Sequence, residues 1–227
     1  MAKRKKKKRV LKIKNIMILF GVLVVIALII YYVINMPIKN IYIKGNKIVS
    51  DNEIINMSNL DEYPSFLLTN RYELKKKLKL NNYIKDVDIS KRLGNVIEIE
   101  VNEYKVICTT SGGKVIIEDG SILENTYGLS DVPILVNEIS DKDILNNFTE
   151  KFSNIDTDIL RQISQIEYSP VEVDKDRFLL YMNDGNLVYI TLTKVHKLNK
   201  YNKIKDKLDG HIGIIYLDSG DYVEVKK

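Results

Sequence analysis

The sequence has no tryptophan, one cysteine and two histidines in 227 residues, and no acidic residue before Asp51. Each shortage excludes something. With Cys108 alone, no intramolecular disulfide can form, so stability has to come from packing. His196 lies among lysines and His211 follows a helix stop; neither has the H-E-x-x-H or Cys/His spacing of a metal site. Ser111-Gly112-Gly113 lacks the pattern of a phosphate-binding loop, and no G-x-S-x-G nucleophile elbow occurs. Cys108 sits between Ile107 and Thr109 in an expected strand, with no neighbour to lower its pKa, and reads as a small buried residue. These patterns lead us to expect no catalytic residue, no metal and no cofactor.

What the chain has is charge in one place. Nine of its 35 basic residues fall between Lys3 and Lys14, which leaves 26 basic against 30 acidic residues in the rest of the chain. The net charge of +5 is therefore a property of the tail, and the balance elsewhere argues against nucleic acid as a partner.

From Asn15 to Ile38 no residue is charged, and 16–34 is nearly all aliphatic. At ~1.5 Å per residue such a helix covers about 28 Å, close to the ~30 Å hydrocarbon core of a bilayer. A cleaved signal peptide would need a shorter apolar run and a small-x-small site, whereas this run ends in Tyr31-Tyr32-Val33-Ile34-Asn35-Met36-Pro37. We expect a basic cytoplasmic tail at 1–15 and an uncleaved transmembrane signal anchor at 16–36. The positive-inside rule then places the remainder outside the cytoplasm.

Residues 38–44 read as a short strand ended by Gly45-Asn46. Ser50-Asp51-Asn52-Glu53 has the form of a capping box, and Asn70-Arg71-Tyr72-Glu73 repeats it before Leu74 and Leu78. Strands at 84–91 and 96–103 flank Leu93-Gly94-Asn95, and strict alternation puts Ile97, Ile99 and Val101 on one face with Glu98 and Glu100 on the other. The two carboxylates have no third partner to complete an acid/base or metal site and read as a solvated sheet face.

The order strand, helix, helix, strand, strand is that of a POTRA domain. The blocks 41–50, 82–93 and 97–103 resemble those of the FtsQ/DivIB family of bacterial division proteins, although Gly94-Asn95 stands where members usually carry a proline. On this resemblance the POTRA domain is expected at 37–104 and a family-type β domain at 105–227. Some members add a disordered C-terminal tail, and none is expected after Lys227.

In the second region, turn signals at Ser111-Gly112-Gly113, Asp119-Gly120, Asn183-Asp184-Gly185-Asn186 and Asp218-Ser219-Gly220-Asp221 separate β-type runs, which argues for an antiparallel sheet. Ile144, Leu145, Phe148 and Phe152 mark a helix over 141–154. A second helix is expected over 193–208, with Thr193 as N-cap, Gly210 as stop, and Val195, Leu198, Ile204 and Leu208 facing the core. The fold class is α+β: one transmembrane helix, a POTRA domain, then a second antiparallel-sheet α+β domain. The closing strands at 212–217 and 221–225 should lie at or near a sheet edge.

The resemblance implies a non-enzymatic scaffold in the cell membrane at the division septum. Its expected partners are FtsB/DivIC-like and FtsL-like bitopic division proteins and other proteins of septal peptidoglycan synthesis. It also implies that partner binding falls on Tyr216, Leu217, Asp218, Ser219, Gly220, Tyr222, Val223, Glu224 and Val225, with Tyr201 on the preceding helix as a neighbour. A bland alternative is that Tyr216, Leu217 and Val223 complete the core. The rival functional readings are a membrane-anchored cell-wall enzyme or inhibitor, and a POTRA-type module that escorts exported polypeptides.

Overall fold

The computed structural model describes residues 13–225, so most of the basic tail, up to Lys12, lies outside the described residues. Helix α1 (Ile13–Ile34) has a mean hydropathy of 3.0 and no buried side chain. It starts and ends slightly ahead of the 16–36 segment expected. Two compact units divide between Asn102 and Glu103.

The first unit orders β1 (Asn40–Lys44), α2 (Asp51–Ser58), α3 (Arg71–Leu78), β2 (Ile84–Arg92) and β3 (Val96–Glu103), with the sheet bonded β1-β3-β2 and β1 parallel to β3. Local chemistry accounts for each boundary. The Ser50 hydroxyl accepts from the Glu53 amide at 3.2 Å, and the Asn70 side chain accepts from the Tyr72 amide at 2.9 Å, satisfying amides that the first helical turn leaves unpaired. Gly94 and Asn95 both adopt positive φ, the requirement of a tight hairpin turn. Ile97, Ile99 and Val101 are buried, as are Ile54 of α2 and Leu74 and Leu78 of α3. Glu98 and Glu100 turn to the opposite face, where Lys44 reaches them at 2.9 and 3.1 Å. Gly45 is obligatory: at φ +89°, a Cβ there would stand 2.3 Å from the Val101 carbonyl oxygen.

The second unit contains β4 (Val106–Thr110), β5 (Lys114–Ile117), β6 (Ile122–Glu124), β7 (Ile134–Leu135), α4 (Lys142–Ser153), α5 (Thr157–Leu160), β8 (Ile163–Tyr168), β9 (Arg177–Met182), β10 (Leu187–Thr191), a 3₁₀ helix (Leu192–Lys200), α6 (Tyr201–Asp206), β11 (Gly213–Tyr216) and β12 (Tyr222–Val225). Nine strands form one sheet in the order β12-β11-β10-β9-β8-β7-β4-β5-β6. The hairpins expected from turn signals are antiparallel, and the sheet adds parallel joins at β10/β11, β4/β7 and β7/β8. Phe148 and Phe152 of α4 pack on Phe178 of β9, with ring centres 5.1 and 6.2 Å from it. Lys105 donates to the carbonyls of Ser153 and Ile155, satisfying acceptors that the end of α4 leaves open.

The expectation of one α-helix starting at Thr193 is corrected. The segment begins as 3₁₀ at Leu192, its N-cap position is Thr191, and it becomes α-helical only at Tyr201. The reason is the spacing of its apolar residues. Leu192, Val195, Leu198 and Tyr201 are all buried and recur every third residue, which aligns them on one face of a helix with three residues per turn.

Candidate functional site

Strand register lays the closing hairpin out as two rows across the sheet. On the inner face Ile166, Leu180, Val188, Ile215 and Val223 are directly opposed from β8 to β12. The first four are buried, and Val223, last in the row, is 38% exposed. On the outer face Leu179, Tyr189, Tyr216 and Tyr222 form the matching row. Here the rings stack: Tyr189 and Tyr216 are 5.4 Å apart, Tyr216 and Tyr222 are 4.5 Å apart, and the Arg177 guanidinium lies 3.9 Å from the Tyr189 ring centre. Both rows stop at β12, whose four residues are all exposed and which, among the described residues, has a neighbour on one side only.

The turn between β11 and β12 is fixed from below. Arg177 pairs with Asp218 at 2.7 Å, both side chains being largely buried. Burial pushes the Asp218 carboxyl up, but Arg177 and Ser219 outweigh it and hold its pKa below the usual carboxylate range. Lys194 donates to the Asp218 carbonyl at 2.7 Å, and Lys197 pairs with Asp221, lowering that carboxyl in turn. Between this turn and the helical segment runs an open groove of ≈ 440 Å³. Its floor is Ile204, Ile215, Leu217 and Val223, and Lys197, Lys200, Lys203 and Lys207 rim it.

Nine of the ten residues singled out from sequence lie on this hairpin, and their exposure divides them. Ser219, Gly220, Tyr222, Val223, Glu224 and Val225 are exposed, Tyr216 and Asp218 are half-buried, and Leu217 is buried in the core. The tenth, Tyr201, named as a neighbour of that contact, is fully buried, with 0% exposure. Its hydroxyl donates to the Asp184 carboxylate at 2.8 Å and accepts from Asn186 at 3.0 Å, while Asn186 accepts from the Gly213 amide at 2.8 Å. Through Asn186, Tyr201 is thus linked to the first residue of β11. Burial, and then the Asp184 charge, push its pKa up.

Cys108 is fully buried and burial pushes its thiol up, away from the thiolate form. His196 and His211 are exposed. Ser111 and Lys114 have S-x-x-K spacing that reading the sequence overlooked. They frame the β4–β5 turn, where Lys114 pairs with Glu124 at 3.2 Å. Among the described residues no group of His, Cys, Asp and Glu side chains could hold a metal ion.

One apolar helix, a β-α-α-β-β unit and a sheet-rich unit with an open edge define a class, the membrane-anchored POTRA proteins. Residues 36–104 match the family model described as POTRA domain, FtsQ-type. Cell division protein DivIB of Bacillus subtilis is 32% identical over 229 residues, covering 96% of this chain and 87% of that protein. DivIB of Geobacillus kaustophilus is 30% identical over 193 residues, covering 82% and 74%. The solved major extracytoplasmic domain of DivIB from Geobacillus stearothermophilus is 28% identical, covering 48% of this chain and 96% of that one, with a TM-score of 0.40. The chain belongs to the DivIB family of cell division proteins, and among the described residues one helix, α1, is long and apolar enough to cross a membrane, consistent with a single-pass membrane protein.

Proposed function

We propose that this chain is a non-enzymatic scaffold of the division machinery that receives a β-strand from an FtsB/DivIC-like bitopic protein along the free edge of β12. The observation that carries this is the double row ending at β12. A strand added there would place an apolar side chain next to Val223 on the inner face and an aromatic or aliphatic one next to Tyr222 on the outer face. Main-chain bonds would supply affinity and these two pockets selectivity. The lysine-rimmed groove beside Val223 favours acidic residues flanking the partner's strand. FtsL-like proteins and the septal peptidoglycan synthesis proteins are then reached through that partner, with the second unit outside the cytoplasm and the protein concentrated at the septum. Partners anchored in the same bilayer meet at high effective concentration, so weak individual contacts suffice.

Prolines scanned through Tyr222, Val223 and Glu224 test the edge, because proline removes the N–H a partner strand would pair with. Variants that melt like the native chain should lose binding to a DivIC-like ectodomain. Native binding by every well-folded variant, including one also carrying Tyr222→Ala and Glu224→Ala, would move the site off β12.

A further inference from the structure

The POTRA unit has four exposed leucines, and three of them, all but Leu80, lie in the two loops bonded to the segment by which the chain leaves α1. Leu67 and Leu68, in the loop between α2 and α3, are 50% and 68% exposed, and Leu93, at the tip of the β2–β3 hairpin, is 100% exposed. One exposed leucine needs no explanation; a gathered set does. Hydrogen bonds to the exit segment 34–39 hold the two loops that carry these. The Ser65 hydroxyl donates to the carbonyl of Ile34, the last residue of α1. The Phe66 amide donates to Met36 at 2.9 Å and the Ile38 amide to Pro64 at 3.0 Å. From the hairpin side, the Lys39 amide donates to the Asn95 carbonyl at 2.8 Å and the Asn95 side chain to the Pro37 carbonyl at 3.0 Å. Lys91 ties the two loops together, donating to the carbonyls of Phe66 and Leu67 with its ammonium 5.0 Å from the centre of the Phe66 ring.

At ~1.5 Å per residue α1 is about 33 Å long, just over the ~30 Å hydrocarbon core, so Ile34 falls at its margin. Tyr31 and Tyr32 stand there too, where amphipathic rings are favoured. Groups bonded to Ile34 and Met36 therefore sit at headgroup level. Leu68 is held beside them, its amide bonded to the Ser65 hydroxyl at 3.2 Å.

We propose that Leu67, Leu68 and Leu93 form a lipid-contacting foot that enters the interfacial layer of the leaflet from which α1 emerges, and so fixes the tilt of the POTRA unit over the bilayer. The proposal rests on α1 spanning the membrane and is independent of what docks on β12. The three side chains of the foot are uncharged, so its own contact with lipid is apolar. Lipid is favoured over a protein partner because the loops that carry the leucines are hydrogen-bonded to the exit of the membrane helix itself.

The test uses the full chain, alone, in phosphatidylglycerol–phosphatidylethanolamine vesicles whose acyl chains are brominated near the carbonyl. An environment-sensitive fluorophore is attached through Leu67→Cys, Leu68→Cys or Leu93→Cys, and the buried Cys108 stays unlabelled. Leu80→Cys, 76% exposed and preceding the opposite end of β2, is the solvent reference, and Phe20→Cys inside α1 reports on the anchor. The expected result is blue-shifted emission and loss of intensity to bromine at 67, 68 and 93, as at 20, with neither at 80. Quenching at 20 while 67, 68 and 93 behave like 80 would overturn the foot alone. Absence of quenching at 20 would overturn the anchor, and the foot with it.

Discussion

The Tyr201 hydroxyl donates to the Asp184 carboxylate at 2.8 Å from a ring with no exposed surface. The contact joins the β9–β10 turn to the helical segment, and through Asn186 it reaches the first residue of β11. Tyr201→Phe keeps the packing and leaves the buried Asn186 side chain without that partner, at a cost of about 1–3 kcal/mol. Thermal melting should show the loss. Binding of a DivIC-like ectodomain by the folded variant should stay native, whereas a direct contact role for Tyr201 would weaken it.

The Arg177–Asp218 pair makes stability depend on pH. A carboxyl whose folded pKa lies below its unfolded value of ~3.9 stabilises the fold above that value. That stabilisation disappears as pH falls through the folded pKa. The native chain should therefore out-melt Asp218→Asn at neutral pH, and the gap should close below about pH 4. A gap that stays constant from neutral to acid would show that the pair contributes nothing to folding.

Ile99 has no exposed surface and lies on the buried face of β3 with Ile97 and Val101. Ile99→Asp buries a carboxylate without a partner, at several kcal/mol, comparable to the whole stability of a small domain. Circular dichroism should show that unit unfolded. Native-like melting of the variant would mean that the strand faces are assigned the wrong way round.

A reporter fused after Lys227 tests orientation. It should be active outside the cytoplasm in the native chain, and exchanging the basic residues between Lys3 and Lys14 for acidic ones should disturb insertion. A cytoplasmic signal from the native fusion would reverse the topology.

The features legible in sequence were those written locally. Ser50 and Asn70 cap their helices, and Gly94-Asn95 turns its hairpin, because side chains and φ angles within a few residues decide those structures. The alternation of Ile97, Ile99 and Val101 reads directly as a buried face. What escaped depends on distant chain. Ile134–Leu135 is too short to alternate, and it is a strand only because β4 and β8 flank it. Tyr201 sits among lysines and looked like a surface residue, yet the three-residue spacing from Leu192 was present and marked it as core. At the docking edge the hairpin was readable from its turn, but the division between exposed Tyr222 and buried Leu217 needed the register.

Gly213 offers a way to move the edge strand without touching any proposed contact. A Cβ there would stand 2.9 Å from the Glu224 carbonyl oxygen and 3.2 Å from Val223 Cγ1, so one side must yield. The core cannot yield easily, since Gly213 donates to the buried Asn186 side chain and its neighbour Ile215 lies in the inner row. The four residues of β12, held along one side only, can. Gly213→Ala should therefore cost about 1–3 kcal/mol, as overpacking does, and displace β12 while the rest of the unit keeps its structure. Amide exchange at Tyr222–Val225 should accelerate. If the partner's strand pairs with β12, its affinity should fall by about tenfold for each ~1.4 kcal/mol that realigning the strand requires. Faster exchange with native affinity would take the docking site off this edge and leave the lysine-rimmed groove as the surface to test.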